Sequence, residues 1–190
     1  MTVVGSFDMP GVPARLAEET FRDITSAPSF VPHILEVQML RGEPSTVGNC
    51  WREKRIFGGR KLTVVKNITH MSTDPYFSCQ ASMEYEETAW FLPKLSQTFT
   101  FDIVPTTAAD MKDDSQGEEK KEPSCKTRWK MGFVAHGGMW SRFLACIGKP
   151  CLNHGALRYT EEEMEYYYQE AVRRTRKHLN PEETNTSVSE

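Results

Sequence analysis

The 190-residue chain lacks most of the signatures that would assign it a chemistry. Its five histidines, His33, His70, His136, His154 and His178, form no HExxH or HxH array, so no metal site is expected. There is no GxSxG, no phosphate-cradling glycine loop and no dinucleotide fingerprint. A serine hydrolase or a nucleotide-binding enzyme therefore has nothing to stand on, and no cofactor is expected. No window reaches the ~18 consecutive apolar residues of a membrane span. Residues 1–11 carry no basic region followed by an apolar run, so a secretory signal is not expected. The five cysteines, Cys50, Cys79, Cys125, Cys146 and Cys151, form no CxxC pair, and an odd count of this kind reads as reduced thiols in a cytoplasmic protein. Charge of one sign is also scarce. With 23 basic and 26 acidic residues the net charge is −3, whereas a nucleic-acid partner wants a concentrated basic surface. Transient contact with a membrane surface stays compatible with this composition.

What is present suits one folded domain over residues 1–180. Hydrophobic residues make up 38% and charged residues 26%, enough for a core without an excess of apolar surface. A short strand is expected over 3–9, then a helix over 12–24, where Leu16, Thr20, Phe21 and Ile24 recur at helical spacing after Pro13. Strand signals follow over 35–39, 49–57, 62–71, 76–88, 95–104 and 125–135, separated by turn residues such as Gly58-Gly59 and Asp74-Pro75. The alternation is clean in the last three. Phe77, Cys79, Ala81, Met83 and Tyr85 share a face, as do Leu95, Gln97, Phe99, Phe101 and Ile103, and Cys125, Thr127, Trp129, Met131 and Phe133. Successive strands with one apolar and one polar face pair antiparallel, with one side wet.

Residues 105–124 interrupt this meander with six acids and three bases, too few apolar groups to offset ordering, and are read as a flexible charged insertion. A helical segment over 139–147 and a break at Gly148-Lys149-Pro150 precede a long helix over about 156–179. That helix is acidic near its start (Glu161, Glu162, Glu163) and basic at its end (Arg173, Arg174, Arg176, Lys177), as the helix dipole favours. Pro181 stops it, and 181–190 is expected to be a disordered tail.

A helix is only about 10 Å wide, so one long helix covers a five- or six-stranded apolar face incompletely. The order of strand, helices, strand meander and long C-terminal helix resembles the helix-grip superfamily: START lipid-transfer domains, pollen-allergen-like proteins and polyketide cyclase/dehydrase relatives (SRPBCC). The segments that carry the resemblance are the 12–24 helix before a proline-containing turn, the strand ending Gly48-Asn49-Cys50-Trp51-Arg52-Glu53, and Gly138-Met139-Trp140-Ser141-Arg142-Phe143-Leu144 leading into the long helix. It implies an α+β helix-grip fold, a curved antiparallel β-sheet wrapped around a long C-terminal α-helix. It also implies a cavity between sheet and helix that accepts lipids, sterols, polyketides or other hydrophobic small molecules.

The residues expected to line such a cavity are Trp51, Phe77, Met83, Tyr85, Gln97, Phe99, Phe101, Thr127, Trp129, Met131, Phe133, Met164 and Tyr168. Gln97 and Thr127 are its polar anchors if they do not simply hydrogen-bond across strands. Some of the aromatic set must also be core. Trp51, Glu53, Arg55 and Phe57 share one strand face, and Cys50, Arg52, Lys54 and Ile56 share the other; either face is compatible with pointing inward. If the first does, a carboxylate and a guanidinium enter an apolar cavity, where they can orient a polar ligand group. The leading reading is a carrier without catalysis. The alternative is a cyclase/dehydratase- or isomerase-type enzyme with Glu53, Arg55 or His70 as acid–base groups.

One consequence is testable at once. Deleting residues 106–123 and joining the strands by a short turn should leave cooperative thermal unfolding nearly intact, because loop closure changes by only ~0.6 kcal/mol per doubling of length. Loss of the cooperative transition would make the segment structural.

Overall fold

The computed structural model describes residues 2–57, 59–86, 94–106, 124–136 and 139–179, with backbone only for 94–95, 135–136 and 139–154. Most of the charged insertion (107–123) and the 181–190 tail lie outside the described residues.

Strand β1 (Thr2–Met9) is followed by helix α1 (Ala14–Arg22), a single 3₁₀ turn (Ile24–Ser26) and the short helix α2 (Ala27–Phe30). Six strands come next: β2 (Ile34–Arg41), β3 (Cys50–Phe57), β4 (Arg60–Ser72), β5 (Phe77–Tyr85), β6 (Lys94–Pro105) and β7 (Cys125–His136). Helix α3 (Met139–Leu179) ends the fold. All strand pairs are antiparallel, in the order β1-β7-β6-β5-β4-β3-β2. Consecutive strands from β2 to β7 are neighbours, which short turns permit, and β1 joins the far edge against β7.

The expected faces are those observed. Phe77, Ala81 and Met83 on β5, Gln97, Phe101 and Ile103 on β6, and Cys125, Thr127, Trp129 and Met131 on β7 are all buried. Gly59 turns the β3–β4 hairpin at φ +75°, a region that costs a residue without Cβ nothing. On α1, Leu16, Ala17 and Thr20 are buried on one stripe, and the Thr20 hydroxyl donates to the Leu16 carbonyl at 2.7 Å. Helix α3 packs on α1, β1 and β7.

One local expectation changes. The backbone of α3 stays helical through Gly148, Lys149 and Pro150, where the sequence pattern places a break. Proline removes one rung and crowds one carbonyl, a cost of about 3 kcal/mol, but the rungs on either side persist. Thr160 is buried in this helix, its hydroxyl donating back to the Ala156 carbonyl at 2.9 Å.

One close approach controls the β1 edge. Gly5 stands opposite Trp129 in the β1–β7 register, and a Cβ there would lie within 2.0 Å of the indole carbon Cζ2. Trp129 is 2% exposed, so its ring has no room to swing away. Gly5→Ala should accordingly destabilise the protein by about 1–3 kcal/mol or more, read as a lower urea midpoint with an unchanged slope. An unaltered midpoint would mean that β1 is not held against the indole.

Candidate functional site

The concave face of the sheet, α1 and α3 line a partly open cavity of about 360 Å³. Trp51, Phe77, Met83, Tyr85, Gln97, Phe99, Phe101, Met131, Phe133 and Met164 all line it. Three expected residues stand elsewhere. Thr127 is fully buried and donates to the Phe7 carbonyl at 3.2 Å, Trp129 packs beneath Gly5, and Tyr168 donates to the Pro10 carbonyl at 3.2 Å. They share the correct strand face or helix, but their side chains pack on β1 and the chain just after it instead of the cavity. The neighbouring Tyr167 takes the inward position on α3.

The walls differ in character. β5, β6 and β7 present mainly apolar side chains such as Ala81, Phe101 and Met131. The part of the wall formed by β3, β4 and α3 is ionic. Of the two possible faces of β3, that of Trp51, Glu53, Arg55 and Phe57 points inward, with Glu53 2% and Arg55 8% exposed. The other face meets solvent, where Arg52 binds Glu86 at 2.9 and 3.0 Å and Lys54 binds Glu36 at 2.7 Å.

Burial of Glu53 and Arg55 is tolerated because partners surround them. Glu53 Oε2 lies 2.8 Å from Lys66 Nζ, and Oε1 lies 3.1 Å from Arg55 Nη1. Arg55 Nη2 reaches Glu163 Oε2 on α3 at 2.5 Å, and its Nε donates to the Tyr159 hydroxyl at 3.2 Å. The Tyr159 hydroxyl in turn donates to the Ile56 carbonyl at 2.8 Å. His33 Nε2 stands 3.7 Å from Glu163 Oε2, beyond hydrogen-bond reach. Tyr85 closes this end by donating to Gln97 Oε1 at 2.8 Å.

This arrangement sets the protonation states. Burial alone would raise Glu53, but Arg55 and Lys66 outweigh it and hold the carboxyl below its ordinary range. Burial likewise opposes ionisation of Glu163, and Arg55 again overrides it and keeps the group well below that range. Arg55 is desolvated but is held in its charged form by Glu163 and Glu53. Burial pushes Tyr85, Tyr159 and Tyr167 up, so all three remain neutral hydroxyls. The Cys79 thiol in the cavity wall is pushed up to about 11 by burial, which leaves it an inert apolar group.

His70 does not join the site. Simple alternation from Val64, Lys66 and Ile68 would turn it inward, but a register shift between Ile68 and His70 inserts an extra residue. That bulge sends His70 to solvent and Met71 to the cavity. The sequence reading passed over Lys66, Tyr159, Glu163 and His33. The signal for Lys66 was its even spacing with Val64 and Ile68; for Glu163 it was the stripe of Ala156, Thr160, Met164 and Tyr167.

Removing one partner from the cluster has a predictable pH signature. Both carboxyls lie below their ordinary range, so their contribution to stability is complete above about pH 4.5 and fades as pH falls further. Glu163→Gln should cost about 3 kcal/mol at pH 7, since it strips a buried guanidinium of one carboxylate. Urea unfolding at pH 7, 5 and 3 should show the gap between parent and variant narrowing toward acid. A gap that stays constant to pH 3 would remove Glu163 from the ionic network.

No family model and no curated protein matches the sequence. Solved structures do match the fold. A START superfamily protein from Mycobacterium smegmatis is similar at 13% identity and a TM-score of 0.60, over 90% of this chain and 97% of that one. The Zhui aromatase/cyclase from Streptomyces sp. R1128 is similar at 14% identity and a TM-score of 0.60, over 92% and 94%. Ginseng major latex-like protein 151 from Panax ginseng is similar at 12% identity and a TM-score of 0.58, over 90% and 97%. At these identities the likeness is one of fold. With its seven-stranded curved sheet, long C-terminal helix and these structural neighbours, the chain has the helix-grip fold of the START/SRPBCC type.

Proposed function

We propose that the protein binds and carries a hydrophobic small molecule, a lipid, sterol, polyketide or similar, in the cavity between the sheet and α3. The observation that carries this reading is the cavity itself. Its volume of about 360 Å³ falls within the ~300–1,000 Å³ range of ligand sites, and its lining is mainly apolar with a few convergent polar groups. A packed core of this composition would leave no such space. The company of the fold agrees with it, since its structural neighbours include a START superfamily protein and an aromatase/cyclase.

The same geometry argues against acid–base catalysis as the main role. A general acid or base works best with a pKa near the operating pH, whereas Glu53 and Glu163 are ion-paired and held low. His33 stands outside hydrogen-bond reach of Glu163, and His70 faces solvent. We place the carrier in the cytoplasm, a reading that the free thiols of Cys50, Cys79 and Cys125 support.

Ala81 offers a direct test, because it is small and faces the cavity. A neutral fluorescent lipophile, N-phenyl-1-naphthylamine, should bind the parent protein saturably at one site. Ala81→Phe fills the space and should weaken that binding at least about tenfold, while unfolding free energy changes by less than the ~1–3 kcal/mol that overpacking a dense core costs. Absence of saturable binding by the parent, with a large loss of stability in the variant, would sink the carrier reading.

A further inference from the structure

The polar wall of the cavity carries hydrogen-bonding atoms that the fold leaves unused. Trp51 is 6% exposed and Glu53 2%, and both line the cavity. The indole Nε1 of Trp51 is buried and has no hydrogen-bond partner. Glu53 Oε1 is buried and likewise unpartnered; its 3.1 Å contact with Arg55 Nη1 is an ion pair outside hydrogen-bond geometry. Native proteins satisfy the great majority of such groups, because each orphan forfeits its hydration. Two orphans on adjacent inward positions of one strand, about 7 Å apart along it, are a donor and an acceptor facing the same space.

The charge of this wall is a second and separate constraint. Glu53 and Glu163 are matched by Arg55 and Lys66, and the cavity-lining Arg22 by Glu18 at 2.9 Å, so these charges balance before any ligand arrives. A carboxylate or an ammonium entering among them would leave one buried charge without a counterpart. A hydroxyl or carbonyl adds no charge. A hydroxyl can also accept from an N–H and donate to a carboxylate oxygen at once.

We infer that the ligand is an uncharged molecule with an apolar body and oxygen substituents along one edge, read by the Trp51 N–H and by Glu53 Oε1. The inference rests on the carrier reading above and narrows its ligand class. The apolar body lies against Ala81, Phe99, Phe101 and Met131 of the apolar lining. The oxygenated edge turns to β3. The same balance disfavours a carboxylate or ammonium placed among these charges and admits alcohols, phenols and ketones.

Three probes with one ring system separate these possibilities: 2-methylnaphthalene, 2-naphthol and 2-naphthoate, each measured by equilibrium dialysis against the full chain at pH 7. The expected result is that 2-naphthol binds at least about tenfold more tightly than either of the others, although it is less hydrophobic than the methyl compound. Trp51→Phe and Glu53→Gln should each bring the 2-naphthol to 2-methylnaphthalene affinity ratio to within about threefold of one. Should Glu53→Gln fail to fold by circular dichroism, Trp51→Phe decides the matter, since it leaves the ionic cluster in place. Equal or tighter binding of 2-methylnaphthalene or 2-naphthoate overturns the inference while leaving a carrier of some other ligand. A preference for 2-naphthol that Trp51→Phe does not diminish also overturns it. If none of the three probes, nor N-phenyl-1-naphthylamine, binds saturably, the carrier reading itself fails.

Discussion

A seven-stranded sheet has more apolar face than one helix can cover, and the rest of the molecule follows from that mismatch. The sheet answers it by curving and by taking α1 as well as α3 onto its concave side. Residues near the β1 edge, such as Val3, Met9 and Trp129, find dense packing there. Toward β3, β4 and β5 the helices stand away from the sheet, and the space between them is the cavity. Core and site are thus two ends of one face. This is why alternation alone could not separate Phe101, which lines the cavity, from Trp129, which does not.

The ionic wall is the second consequence. A cavity between two layers has a far side, and the far side must be tied to the near one. Arg55 does so by bridging Glu53 on its own strand and Glu163 on α3. The bridge is direct and buried, so removing any member strands a charge. Its worth to the protein lies less in net stability than in geometry, since an apolar replacement could pack as well without specifying where α3 sits. The same pairing holds both carboxylates ionised, which suits recognition of neutral polar groups better than proton transfer.

The antiparallel strands, their inward faces and the long helix were legible from residue spacing, and the helix-grip arrangement with its cavity only from the resemblance. Alternation on β5, β6 and β7 named the inward faces correctly because those strands run without bulges in their pairing. It failed on β4, where one extra residue between Ile68 and His70 reverses the parity and turns the histidine to solvent. It was also silent on β3, whose two faces both mix charge with aromatic or apolar groups.

The amino-acid sequence by itself determined the antiparallel meander, its turns, the long C-terminal helix and the one-sided polarity of each strand, because these are local properties of period and propensity. Which β3 face is buried was decided only by tertiary structure. Glu53 and Arg55 can leave water because Lys66 is their neighbour across one ladder and Glu163 descends from a helix more than a hundred residues later in the chain. Spacing within a strand carries no record of such a partner. The cavity has the same origin, for a void is a property of how far two layers stand apart, and no single segment encodes that distance.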